Sequence, residues 1–183
     1  VLAIVLLRMW IPRVDVPYLD SIVAYAPVGI VLTVFATSGV CNAFNLIDGL
    51  NGLSAGTGVM VAVGLAAIAN AAGDSNFIEL SILLSAALAG FLVFNFPFGK
   101  LFLGDAGAYS LGHVLAWFAI LIVDRISGVS TWALLLVFFW PVADTLFAIY
   151  RRLRVGVRMD RPDRLHYHQF VMRALEIAVL GRG

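Results

Sequence analysis

Apolar runs of about 20 residues, the length that a bilayer core demands, follow one another along this chain with only short polar breaks between them. Val1–Trp10 reads as the tail of such a span, with Arg8 and Trp10 as its interfacial residues. Pro12 and Pro17 oppose helix in Pro12–Asp20 and predict an extended loop there. Complete spans are predicted over Ser21–Cys41, Leu53–Ala72 and Phe77–Phe96. A fourth follows Gly107 and ends near Val123, and a fifth covers Val129–Tyr150. Gly73-Asp74-Ser75-Asn76 and Asp124–Gly128 are the turns between them, and Phe170 opens a further helix. The expected fold is all-α: a polytopic transmembrane helical bundle of five complete spans with partial spans at both ends. Residues 1–183 form one integral-membrane domain, whose remaining terminal spans are expected to lie beyond this stretch.

Composition supports that class. The 183 residues are 62% hydrophobic and 13% charged, whereas a soluble domain is about half apolar and about a quarter charged. The net charge of +1 gives no reason to expect a nucleic-acid partner. Cys41, the single cysteine, cannot form an internal disulfide and is read as a packing residue. The chain opens inside an apolar run, without the charged leader of a secretory signal, as a piece of a longer protein would.

Against this background, Asn42, Asn45, Asp48 and Asn51 stand out, recurring at every third position between apolar flanks. Neighbours three apart lie side by side on a helix or 3₁₀ turn, so several of these groups are expected to share a polar pocket. Counting spans from this motif brings Asp48, Asp105 and the pair His166 and His168 to the same side of the membrane. That side also carries Lys100, Arg151, Arg152, Arg154, Arg158, Arg161 and Arg164, against Arg13, Arg125 and the flanking Arg8 on the other. The positive-inside rule makes the motif side cytoplasmic.

Carboxylates in glycine-containing loops at a membrane edge suit hard divalent cations, and Mg²⁺ typically takes one or two carboxylates together with phosphate oxygens. Gly104, Ala106 and Gly107 keep bulk away from Asp105, where the start of the fourth span would aim backbone N–H groups at an anion. Arg151, Arg152 and Arg154 stand at the membrane edge, where they serve topology and lipid contact or hold a phosphate. His166 and His168 suit phosphate or carboxylate contact better than a zinc site, having no third ligand nearby. Asp144 is an acid inside the fifth span, roughly 10 Å below Arg151 along a helix. His113, two turns into the fourth span, is read as a bond to another helix.

Asn-Ala-Phe-Asn-Leu-Ile-Asp-Gly-Leu-Asn-Gly-Leu at 42–53 resembles the signature of the polyprenyl-phosphate N-acetylhexosamine-1-phosphate transferases, of the glycosyltransferase family 4 type. This superfamily includes the phospho-MurNAc-pentapeptide translocase and the enzymes that initiate O-antigen, teichoic acid and related glycans. Phe-Leu-Gly-Asp-Ala-Gly-Ala at 102–108 is similar to the family's second acidic motif. Arg151-Arg152-Leu153-Arg154, with Pro162-Asp163-Arg164-Leu165-His166-Tyr167-His168, resembles its basic loop and histidine motif.

The resemblance implies transfer of a sugar 1-phosphate from a UDP-sugar to polyprenyl phosphate, with release of UMP, at the cytoplasmic face of the bacterial inner membrane. It implies Mg²⁺, with Mn²⁺ as an alternative, bound through Asp105 with Asp48 as a second active-site acid. It also implies Asn95 and Phe102 lining the nucleotide pocket, and His166 and His168 at substrate phosphate; a homodimer is compatible with it. Asn51 stands where many members have Asp, and Ala108 where many have Ser, as in O-antigen initiators. The family's paired aspartates lie upstream, and no Asp-Asp occurs within these residues. The rival readings are a secondary transporter, which would place its binding groups near mid-membrane with repeat symmetry, and a non-catalytic membrane fragment.

Overall fold

The computed structural model describes residues 1–155, all of whose regular structure is helical. His166, His168, Arg158, Arg161 and Arg164 lie outside the described residues. Among the described residues, four helices are long and apolar enough to cross a membrane: α3 (Ala26–Ile47), α4 (Leu53–Ala71), α5 (Ser75–Asn95) and α6 (Gly104–Arg125). They are preceded by short α1 (Leu2–Leu7) and α2 (Leu19–Val23) and followed by α7 (Thr131–Val137) and α8 (Phe139–Val155).

The first span differs from expectation. It starts at Ala26, with Pro27 in the first turn where its missing N–H costs nothing, and continues through Asn42 and Asn45 to Ile47. The two asparagines thus belong to the helix and do not end it. The expected fifth span is also interrupted: α7 and α8 meet at 75°. Pro141 accounts for the break, because its ring would clash with the Val137 carbonyl in a continuous helix and it offers no N–H to that carbonyl. The N-terminal stretch forms only a six-residue helix, ended by Arg8 in the left-handed region at φ 52°.

α3 packs along α6 and α4 along α5. Gly112 makes the first pairing close: a Cβ there would stand 2.8 Å from the Cys41 Cα, so even alanine would push the backbones apart. Gly58 similarly admits Leu111 and Leu88. Phe44, Ile47, Leu65, Leu115 and Ile122 fill the shared core, fully buried. Val31, Phe35, Met60, Val63, Ile82 and Leu83 point outward and exposed. That is where lipid contacts belong on helices whose backbone groups are satisfied internally.

The end of the bundle where α3 and α7 begin and α6 ends is closed by polar contacts. The Thr33 hydroxyl donates to the Gly29 carbonyl (2.7 Å) and accepts from the Ile11 N–H (2.8 Å), tying the N-terminal loop to α3. Arg13 donates to the carbonyls of Ile126 (3.3 Å) and Val129 (2.8 Å) and to Asp15 (3.0 Å). Asp15 in turn accepts from the Thr131 N–H at 2.6 Å. Asp15's carboxyl is held below the usual carboxylate range, first by this backbone donor, with the Thr131 hydroxyl and Arg13 adding to it against partial burial. The opposite end is built differently.

Candidate active site

At that opposite end, α3 finishes at Ile47, two residues after Asn45, and Asp48 is its C-cap residue. The chain turns through Gly49–Asn51 and enters α4 at Gly52, which holds the left-handed conformation at φ 83°. A side chain at Gly52 would be strained there and would run into the Phe96 ring, 2.8 Å from the Cβ position. α5 ends at Asn95, and the loop that follows leads back to Gly104 and Asp105, the first two residues of α6.

The amide of Asn45 donates to Asp105 Oδ1 at 3.0 Å, joining two residues 60 apart in sequence. Asp48, one turn beyond Asn45, is half-buried, whereas Asp105 is exposed. Burial pushes the Asp48 carboxyl above its ordinary value, and the negative charge of Asp105 pushes it further in the same direction. Ser54 opposes both. Its single hydroxyl proton also lies within reach of the Phe44 carbonyl at 3.2 Å, so the relief it brings to Asp48 is partial. The two acids that the sequence singled out therefore share one end of the bundle and feel each other's charge. Among the described residues, no cluster of three or more metal-ligating side chains occurs.

The triplet register is not one continuous face. Asn45 turns to Asp105 and Asn42 is exposed, but Asn51 points to the other loop, donating to the Pro97 carbonyl at 3.3 Å. Asn95 is 6% exposed. Its carbonyl oxygen accepts the Gly52 N–H at 2.6 Å, and its amide nitrogen donates to the Leu101 carbonyl at 2.7 Å. Phe102, by contrast, is 72% exposed on the loop before α6. Leu103, the N-cap of α6, makes no side-chain capping bond, so no side chain occupies the helix's first turn from that position. Gly107 accommodates Leu103, 3.1 Å from its Cβ position, and is thus a packing residue.

Arg151, Arg152 and Arg154 fall in the last turns of α8, the guanidinium of Arg154 lying 5.4 Å from the centre of the Tyr150 ring. Asp144 is buried within α8, and His113 stacks edge-on against Trp117 on its own helix. Sequence reasoning missed Ser54 beside Asp48 and the contacts of Asn95, because both arise from tertiary approach and leave no local period.

This geometry can be set beside known proteins. The family model described as glycosyl transferase family 4 matches residues 1–123. A probable undecaprenyl-phosphate N-acetylglucosaminyl 1-phosphate transferase of Bacillus subtilis is 34% identical over 159 residues, 86% of this chain and 44% of that protein. A decaprenyl-phosphate N-acetylglucosaminephosphotransferase of Mycobacterium tuberculosis is 32% identical over an alignment of 183 residues, covering 82% of this chain and 45% of the relative. An undecaprenyl-phosphate alpha-N-acetylglucosaminyl 1-phosphate transferase of Escherichia coli is 30% identical over 156 residues, 81% of this chain and 42% of that protein. The chain spans less than half the length of these curated relatives. Its helices carry both acidic motifs to one end of the bundle, its matched region runs through both of them, and the chain belongs to glycosyl transferase family 4.

Proposed function

We propose that the protein containing this domain transfers a sugar 1-phosphate, N-acetylglucosamine 1-phosphate as the favoured case, from a UDP-sugar to polyprenyl phosphate and releases UMP. The reaction takes place at the cytoplasmic face of the bacterial inner membrane and initiates a cell-envelope polysaccharide. The observation that carries this reading is the meeting of Asp48 with the Asn45–Asp105 pair at a single helix-bundle end. The names of the relatives supply the substrate class.

The donor set fits a divalent cation. Two carboxylates whose charges oppose each other, one of them half-buried, draw no compensating positive charge onto Asp48 from the described residues. Mg²⁺ accepts such a pair when phosphate oxygens complete its shell. Asp105 and Asp48 would hold Mg²⁺ or Mn²⁺, which when bound supplies neutralising charge to the diphosphate. Asn45 orients Asp105 through its amide. The uncapped first turn of α6 offers backbone N–H groups to phosphate oxygens. Phe102 presents an exposed ring suited to stacking on the uracil, and Arg151, Arg152 and Arg154 suit contact with lipid or nucleotide phosphate.

The lipid phosphate, with a second pKa near 6, is mostly dianionic at neutral pH and needs little deprotonation. A non-bridging oxygen of that phosphate attacks the β-phosphorus of the UDP-sugar. As the new P–O bond forms, the bond from the β-phosphorus to the bridging oxygen breaks, and UMP departs with its electron pair. Stabilising charge in this exchange is the chief task of the site. Membranes carrying the full-length protein, given labelled UDP-N-acetylglucosamine and undecaprenyl phosphate, are expected to release UMP and form a lipid-linked sugar diphosphate. Release of UDP in its place would mean ordinary glycosyl transfer and would overturn the reading.

A further inference from the structure

We propose that the end of the bundle facing away from the candidate active site binds a phospholipid of the surrounding bilayer by its headgroup, with phosphoethanolamine as the preferred group. The cleft for it lies between the start of α5 and the end of α6. It has a volume of about 420 Å³ and is lined by Asn76, Glu79, Leu80, Leu83 and Arg125.

Sequence spacing builds one wall. Asn76, Glu79, Leu80 and Leu83 stand at i, i+3, i+4 and i+7 of α5 and so share one face. The other wall is Arg125, the last residue of α6. Its guanidinium lies 5.6 Å from the centre of the Phe77 ring, and that ring is buried, so a fixed neighbour holds the charge at the cleft. Glu79 and Arg125 carry opposite charges and line one opening, yet neither enters an ion pair among the described residues. Opposite charges held apart across a cleft match a ligand that carries both signs.

Polarity is graded along the cleft as it is along a phospholipid. Glu79 stands in the second turn of α5, and Leu83 lies one turn further into the span, roughly 6 Å along the axis. Leu80 and Leu83 are exposed and continue into the outward face of Ile82, where lipid contacts belong. A dissolved phosphate has no use for those leucines, whereas a phospholipid lays its acyl chains on them and leaves its headgroup between the charges. The Arg125 fork suits a phosphate diester. The Glu79 carboxylate and the Asn76 carboxamide oxygen accept hydrogen bonds from a primary ammonium. A choline headgroup has no N–H to give them, and a glycerol headgroup leaves Glu79 without a counter-charge.

The test is native mass spectrometry of the full-length protein in detergent micelles, titrated with phosphatidylethanolamine, phosphatidylcholine and phosphatidylglycerol of matched acyl chains. The wild type is expected to retain phosphatidylethanolamine about tenfold better than phosphatidylcholine, the worth of one charge-assisted hydrogen bond at a partly exposed site. Glu79→Ala should erase that preference, and Arg125→Gln should weaken retention of all three lipids. Should Arg125→Gln fail to fold, Arg125→Lys, which keeps the charge and loses the fork, is expected to weaken retention in smaller measure. Equal retention of phosphatidylethanolamine and phosphatidylcholine by the wild type, or a preference that survives Glu79→Ala, would overturn the proposal. Stronger retention of phosphatidylglycerol would mark a contact for anionic lipid and overturn the zwitterionic assignment. Soluble phosphoethanolamine at the lipid's concentration should not compete; displacement by it would show that the leucines add nothing and would overturn the lipid assignment.

Discussion

Asp15 and Asp48 are carboxylates at opposite ends of the same helical bundle, and the fold shifts them in opposite directions. Asp15 receives the Thr131 N–H and the Arg13 guanidinium and is held below the ordinary value. Asp48 is half-buried beside a second acid, has among the described residues a shared hydroxyl for help, and is pushed above it. An acid that serves the fold is given donors by the fold, and its ionised form contributes to stability. A pair placed together with only neutral donors among the described residues weakens the protein until something positive arrives. The contrast sets one end of the bundle, a closure, against the other, the candidate site.

The comparison breaks most visibly at Asp105. Asp105→Asn in the full-length protein is expected to lower transfer about a thousandfold or more, the scale seen when a charge-stabilising group is lost. Thermal stability without divalent cation should hold or rise, because the repulsion on Asp48 is removed. Near-normal turnover would exclude Asp105 as a metal ligand.

Arg13→Ala is expected to do the reverse. It removes a guanidinium that spans three backbone carbonyls and Asp15, and should cost about 1–2 kcal/mol in unfolding measurements, a value kept modest because the pair is partly solvated. Transfer per folded molecule should be unaffected; a large loss of activity would show that the two ends are coupled.

The smallest effect is a difference in pH dependence. Asp15 has a lowered folded-state pKa, so its contribution is complete above its ordinary value of 3.8 and is lost as pH falls toward the lowered one. Asp48 has a raised folded-state pKa, so its destabilising effect is absent below 3.8 and grows as pH rises through the raised value. In unfolding experiments without divalent cation, Asp15→Asn should therefore flatten the acid limb of the stability curve. Asp48→Asn should remove a decline on the rising side.

Much of this was legible in the sequence. Apolar runs located the spans, and counting them brought Asp48 and Asp105 to one end before any coordinates, as the Asn45–Asp105 bond bears out. Helix boundaries were harder: Asn42 and Asn45 looked like an ending, but both are helical, and the Asn45 side chain reaches Asp105 on another helix. Pro141 carried a readable signal for the bend between α7 and α8, overshadowed by the continuous apolar run around it. The contacts of Asn95 were not legible, because its partners Gly52 and Leu101 offer only backbone groups and no side-chain pattern announces them.

The central claim is that Asp48 and Asp105 hold one divalent cation between them. It is tested most directly by electron paramagnetic resonance of Mn²⁺ titrated into the full-length protein with UDP-sugar present. One bound ion is expected in the wild type, with affinity falling sharply in both Asp48→Asn and Asp105→Asn. Undiminished Mn²⁺ binding in either variant would contradict the account.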